Sequence, residues 1–150
     1  MSDGNQRIVE AFVKALIHAD HEMARPFVSP DIVSDWPQSR ERIRGLQAMI
    51  AIDTAYPGGM PALRTRRTLG AEDRWIIDAM MTPRRISGSG DVWVAEGDFH
   101  YPDGSVWAWC MVIELRNGQV VHTSEYWAPR AAAPAWRAQW VEPMPEDESV

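Results

Sequence analysis

Two dipeptides, Asp103-Gly104 and Asn117-Gly118, constrain this chain more than any other feature. Both central residues of a tight hairpin turn take positive φ, which Asp-Gly and Asn-Gly tolerate. The stretches around them, 91–101, 105–115 and 119–128, alternate or run apolar in the manner of strands. An antiparallel meander follows. Two further strands are expected upstream, over 62–69 and 74–87, with turns at Gly70 and at Ser87-Gly88-Ser89-Gly90.

The first half of the chain reads differently. Ile8, Val9, Phe12, Val13, Leu16 and Ile17 recur at helical spacing and form one apolar stripe, with Arg7, Glu10, Lys14, His18 and His21 opposite. A short helix is expected from His21 to Phe27, then a strand from Ile32 to Trp36 that Pro37 stops. After the polar loop QSRER, the positions Leu46, Met49, Ile50 and Tyr56 predict a third helix, ended by Pro57-Gly58-Gly59. Helices first and a meander afterwards predict an α+β fold, with N-terminal helices packed on a curved, mostly antiparallel sheet that forms a cone with an internal pocket. The 150 residues suit one domain over 1–140, with Trp136 and Trp140 expected to pack on it. The acidic, proline-rich 141–150 is expected to be disordered.

Register assigns the faces. With two-residue turns at both dipeptides, Cys110 lies opposite Glu125 and Gly97, and Val112 lies opposite Thr123 and Ala95. One face then carries Trp93, Phe99, Cys110, Val112, Thr123 and Trp127, with small residues at its centre and aromatics at its rim. That arrangement leaves a hollow, the usual origin of an apolar ligand pocket. The opposite face carries Trp107, Trp109, Met111 and Tyr126, too aromatic for plain surface, and is expected to be a homodimer interface. Glu125 falls on the apolar face, where desolvation raises a carboxyl pKa and suits it to proton transfer. Pairing with an Arg would instead make it structural.

Charge and composition narrow the function classes. A net charge of −6 argues against nucleic acid as a partner, because phosphate neutralisation needs a basic surface. The single cysteine, Cys110, excludes an internal disulfide and fits a reducing compartment. No apolar run is long enough to span a membrane, and the polar start MSDGNQ does not read as a signal peptide, so a cytoplasmic location is expected. His18, His21 and Glu22 read as a solvated helix face rather than a metal site, and no cofactor fingerprint is present. Eight Trp in so short a chain point to a core, a pocket or an interface.

The segments VSDWPQSRERIRG (33–45), SGSGDVWVAEG (87–97) and AWRAQWVE (135–142) resemble recurring blocks of the SnoaL-like (polyketide cyclase-like) family within the nuclear-transport-factor-2-like superfamily. With the helical start and the meander, the resemblance covers about 140 residues and implies the cone fold. Members include cyclases, dehydratases, isomerases and epoxide hydrolases. In the related ketosteroid isomerases, the base is an Asp in a segment similar to Val33-Ser34-Asp35-Trp36, so the resemblance places Asp35 at the base position. Phe12 and Val112 stand where those enzymes carry oxyanion donors. Limonene-epoxide-hydrolase-like members end their last strand in a pattern similar to Ser124-Glu125-Tyr126-Trp127, which puts Glu125 at an acid position, while Cys110 and Val112 occupy the region of their Asp and Arg.

The expectation from residues and resemblance together is an enzyme that works without cofactor on a mostly apolar or aromatic small molecule. Asp35 is the expected general base and Glu125 the expected general acid, with walls from Phe12, Trp36, Tyr56, Phe99, Cys110, Val112, Thr123 and Trp127. A non-catalytic small-molecule-binding or dimerisation domain is the alternative.

Overall fold

A computed structural model describes residues 2–18, 20–57, 64–67, 75–78, 81–101 and 103–145, with backbone only at 2, 3, 64–67, 75–78 and 82. Helix α1 (Ser2–Ile17) follows the predicted stripe: Val9, Phe12 and Val13 are buried and Ile8, Leu16 and Ile17 pack partly buried against the core, while Glu10 and Lys14 face solvent. Asp20 caps the short α2 (His21–Ala24) by accepting the Met23 amide at 3.1 Å. A 3₁₀ turn (Arg25–Phe27) then leads into β1 (Val28–Trp36), which starts four residues earlier than the sequence suggests. The polar QSRER stretch is partly strand: β2 (Glu41–Arg44) returns antiparallel to β1 and buries only Ile43. Gly45, at φ 87°, turns the chain into α3 (Leu46–Thr54).

The remaining strands are β3 (Arg64–Arg67), β4 (Trp75–Asp78), β5 (Met81–Ser89), β6 (Val92–His100), β7 (Val106–Arg116) and β8 (Gln119–Pro129). The expected strand over 74–87 is thus two pieces, while the expected turns at Gly58-Gly59 and Gly70 lie outside the described residues. β3 and β4 pair antiparallel as a separate two-stranded sheet. The others make one open, curved sheet in the order β2-β1-β8-β7-β6-β5, antiparallel except where β1 runs parallel to β8. With the helices packed on it, this is the predicted α+β cone.

Two one-residue shifts decide which side chains point inward. Tyr101 donates its amide to the Ser105 carbonyl at 2.9 Å and Gly104 takes φ 87°, so the β6–β7 turn has three residues rather than two. That extra residue inverts β7 relative to the expected register. Trp107, Trp109, Met111 and Ile113 point inward, while Cys110 and Val112 point outward. The Asn117-Gly118 turn has the expected two residues, both at positive φ, and Leu115 pairs with Val120. A bulge at Val121 then shifts the pairing, so Glu114 meets His122 and Met111 meets Glu125. The second shift cancels the first beyond the bulge. Thr123, Glu125 and Trp127 therefore share the inner face with Trp93, Ala95, Gly97 and Phe99, as expected.

Three of the four residues expected at a dimer interface are consequently interior: Trp109 and Met111 are buried and Trp107 is half-buried. Tyr126 alone stays on the outer face and exposed. The core lies between α1 and the β5–β8 part of the sheet, through Val9, Val13, Met81, Trp93, Ile113 and Val120. Trp136 and Trp140, expected to pack over the domain, stand exposed instead.

Candidate functional site

Beyond the filled core, towards the far ends of β6–β8, the inner face opens into a cavity of about 420 Å³. The alternation that buries Ile32 and Ser34 on β1 also turns Trp36 into this space. Phe99, Tyr101, Trp107, Trp109 and Trp127 come from the sheet, and Leu16, Ile52 and Tyr56 come from the helical side. Trp36 and Trp127 meet edge to face at 5.4 Å, and Phe99 meets Trp109 likewise at 5.8 Å. Such walls suit a flat, largely apolar guest.

Besides the hydroxyls of Tyr56 and Tyr101, one imidazole and two carboxyl side chains line this cavity. Glu125 reaches it from β8, with one carboxylate oxygen accepting from Trp109 Nε1 at 3.2 Å and the other from Ser34 Oγ at 3.3 Å. Ser34 is itself fixed by Thr123 Oγ1, which donates to it at 2.8 Å from a fully buried position. Burial pushes the Glu125 carboxyl above its ordinary value of 4.5, partly offset by the Trp109 and Ser34 donors and by the neighbouring imidazole of His21. The Trp36 indole N–H is buried close to this carboxyl and has no hydrogen-bond partner of its own among the described residues.

The other two form a pair. His21 opens α2 and Asp53 sits in the last turn of α3, and His21 Nδ1 is hydrogen-bonded to Asp53 Oδ2. Both side chains are about four-fifths buried and line the same cavity as Glu125. A carboxylate on Nδ1 holds the proton there and leaves Nε2 as the basic nitrogen. Neither residue was expected in the site. His21 read as solvated because the stripe of α1 was carried through it, but the chain breaks at Asp20 and α2 starts a new helix with its own facing.

The expected base lies elsewhere. Asp35 follows Ser34 on β1, so its side chain points to the opposite face of the sheet from Glu125. There it accepts from Arg42 Nε at 2.6 Å, from Arg42 Nη2 at 2.8 Å and pairs with His122 Nε2 at 3.0 Å. Hydrogen bonds from Arg42, then His122, hold its carboxyl well below the carboxylate range. A permanently ionised, paired Asp35 on the outer face cannot share a substrate with Glu125. The expected pairing of Asp35 with Glu125 in one pocket does not form, because Arg42 and His122 hold Asp35 on the other face of β1.

Of the expected walls, Trp36, Tyr56, Phe99 and Trp127 line the cavity. Phe12 belongs to the core under α1, one turn before the cavity-lining Leu16, and Thr123 lies behind Ser34. Cys110 and Val112 face outward because of the three-residue turn. Among the described residues no group of His, Cys, Asp and Glu is arranged to hold a metal ion, and no helix is long and apolar enough to cross a membrane.

No family model matches the chain, and no curated protein matches it. Solved structures do. An NTF-2 like protein of unknown function from Burkholderia xenovorans LB400 is 27% identical, with a TM-score of 0.70 over 95% of this chain and 97% of that one. A ketosteroid isomerase candidate from Kribbella flavida DSM 17836 is 16% identical, with a TM-score of 0.73 over 99% and 96%. A SnoaL-like polyketide cyclase candidate from Shewanella denitrificans OS-217 is 11% identical, with a TM-score of 0.61 over 83% and 90%.

Proposed function

We propose, from the premise that this chain belongs by fold to the nuclear-transport-factor-2-like superfamily, that its cavity carries out acid–base chemistry on a mostly apolar small molecule. The observation that carries this reading is the meeting of the His21–Asp53 pair and a desolvated Glu125 in one aromatic cavity. Fold neighbours that include isomerase and cyclase candidates support a catalytic use of such a pocket without fixing the reaction.

The division of labour follows from the environments. His21 Nε2 takes a proton from the substrate, and Asp53 stabilises the imidazolium that results. Glu125, whose charged form burial disfavours, gives a proton to the oxygen that accumulates charge or departs, and its carboxylate is then held by Ser34 and Trp109. Return of one proton from His21 to product or water and of one to Glu125 closes the cycle. An isomerisation, a cyclisation or a loss of water fits this two-site proton exchange. Glu125 thus keeps the acid role expected of it, and the base is His21 rather than Asp35.

The test needs no known substrate. Neutral cyclic and aryl ketones are incubated with the protein in D₂O, and exchange of the carbon-bound hydrogen beside the carbonyl is read by NMR. Accelerated exchange is expected for ketones that quench the cavity tryptophans, falling by about 10²-fold or more in His21→Ala. Ketones that bind while none exchanges would instead establish a non-catalytic binding domain.

A further inference from the structure

One donor in the cavity wall has no acceptor. Trp36 Nε1 is buried and makes no hydrogen bond among the described residues. A buried N–H left unmet is costly, and native folds rarely keep one without a reason. Its place in the sheet supplies the reason. Strand β8 lies between β1 and β7, so Glu125 is flanked from both sides. From β7 comes the Trp109 indole, which donates to one carboxyl oxygen at 3.2 Å. From β1 comes Ser34, which donates to the other at 3.3 Å. The parallel register sets Ser34 beside Thr123 and Asp35 beside Ser124, and one step further along both strands brings Trp36 beside Glu125. Edge-to-face contact with Trp127 at 5.4 Å holds the Trp36 ring in that place.

A neutral carboxyl and a carboxylate differ in what they accept. The carboxylate offers two equivalent oxygens with about four lone-pair sites, whereas the neutral acid gives one of these to its own proton. Hydrogen bonds to the ionised form are also shorter and roughly twice as strong. Trp109 and Ser34 already engage one site on each oxygen of Glu125. A third donor standing beside them is therefore drawn in mainly when charge appears.

We propose that the Trp36 indole N–H is reserved for the Glu125 carboxylate. It stays open while Glu125 carries its proton and closes on a carboxylate oxygen once that proton has passed to the guest. Trp36 is then a positioning residue of the reaction, an assignment that rests on the acid role given to Glu125. Only an interaction stronger after proton transfer than before it accelerates the step, and a donor left open at rest meets that condition better than Trp109 or Ser34 does.

The wild-type protein can report the switch. Indole N–H signals are assigned in nitrogen-resolved proton NMR from Trp36→Phe and Trp109→Phe, and the Glu125 carboxyl carbon is followed in the same titration. As pH rises, the Trp36 N–H proton is expected to move downfield with the Glu125 midpoint, while that of Trp109, bonded throughout, moves less. The movement should vanish in Glu125→Gln, which separates it from His21, Asp53, Tyr56 and Tyr101, the other titratable groups that face the cavity. Trp36→Phe keeps an aromatic wall without the N–H. It should raise the Glu125 midpoint further and slow hydrogen exchange of a bound ketone by about tenfold or more, with the ketone's affinity nearly unchanged. An indole that follows the Glu125 titration in a protein that exchanges no ketone would uphold the donor and sink the catalytic reading alone. A signal that ignores the titration and moves only when a ketone binds would assign the N–H to the guest. One that stays upfield at every pH would assign it to the ring of Trp127. Either of these, or an unaltered Glu125 midpoint in Trp36→Phe, overturns the proposal.

Discussion

Replacing Glu125 by Gln gives the most direct reading of the cavity, because the two side chains have the same shape and differ in one titrating proton. Burial raises the folded-state value above the ordinary 4.5, while the unfolded chain titrates near that ordinary value. Between the two, the folded protein holds a proton that the unfolded chain has released. Stability therefore falls as pH rises through that window and levels off above the raised value. One proton corresponds to about 1.4 kcal/mol per pH unit, or roughly 3–6 °C in Tm per pH unit for a chain of this size. Glu125→Gln removes the effect, keeps one acceptor oxygen for Trp109 and turns its amide N–H towards the Ser34 hydroxyl, which can accept. Urea denaturation of both proteins at half-unit steps from pH 4.5 to 8 should show the variant gaining on the wild type along that slope before a plateau. The start of the plateau locates the raised value. Parallel stability profiles would mean that Glu125 ionises like a solvated carboxyl, and the assignment of an acid to the cavity would fall.

Asp35 obeys the opposite sign. Its depressed carboxyl adds stability above the ordinary 3.8 that is lost as pH falls, so Asp35→Asn should cost up to about 1 kcal/mol at neutral pH and progressively less below pH 4. Tryptophan quenching by cavity ligands should be unchanged in that variant, because the side chain sits on the other face. Ile113→Ala, at a fully buried position of β7, should cost about 2–5 kcal/mol in urea denaturation; a loss below 1 kcal/mol would place that strand in the expected register rather than the inverted one.

The architecture was legible because it depends on patterns that survive small errors of count. The stripe of α1, the helical run from Leu46 and the alternation of β6 each repeat often enough for one stray residue not to matter. The faces of β7 were not legible, since they depend on whether Asp103-Gly104 closes a turn of two residues or three, and both suit that dipeptide. The inward side of Glu125 is legible only because two one-residue departures from regular hairpins, at the β6–β7 turn and at Val121, cancel. His21 and Asp53 were beyond reach for another reason. They are 32 positions apart on two helices, and only the packing of α2 against α3 makes them a pair. Resemblance misled at Asp35, where a matching position carries a side chain that Arg42 and His122 claim for the outer face.

The extra residue at Val121 makes the straightening of β8, rather than its shortening, the change that would reach the cavity. Deleting Val121 removes the bulge and leaves Glu114 opposite His122 and Met111 opposite Glu125, so every later side chain keeps its side. Taking the same residue into a regular ladder would instead bring Glu125 opposite Cys110 on the outer face and turn Tyr126 inward. Two relatives whose last strands differ by one residue can therefore hold the acid on the same side, and two of equal length can hold it on opposite sides.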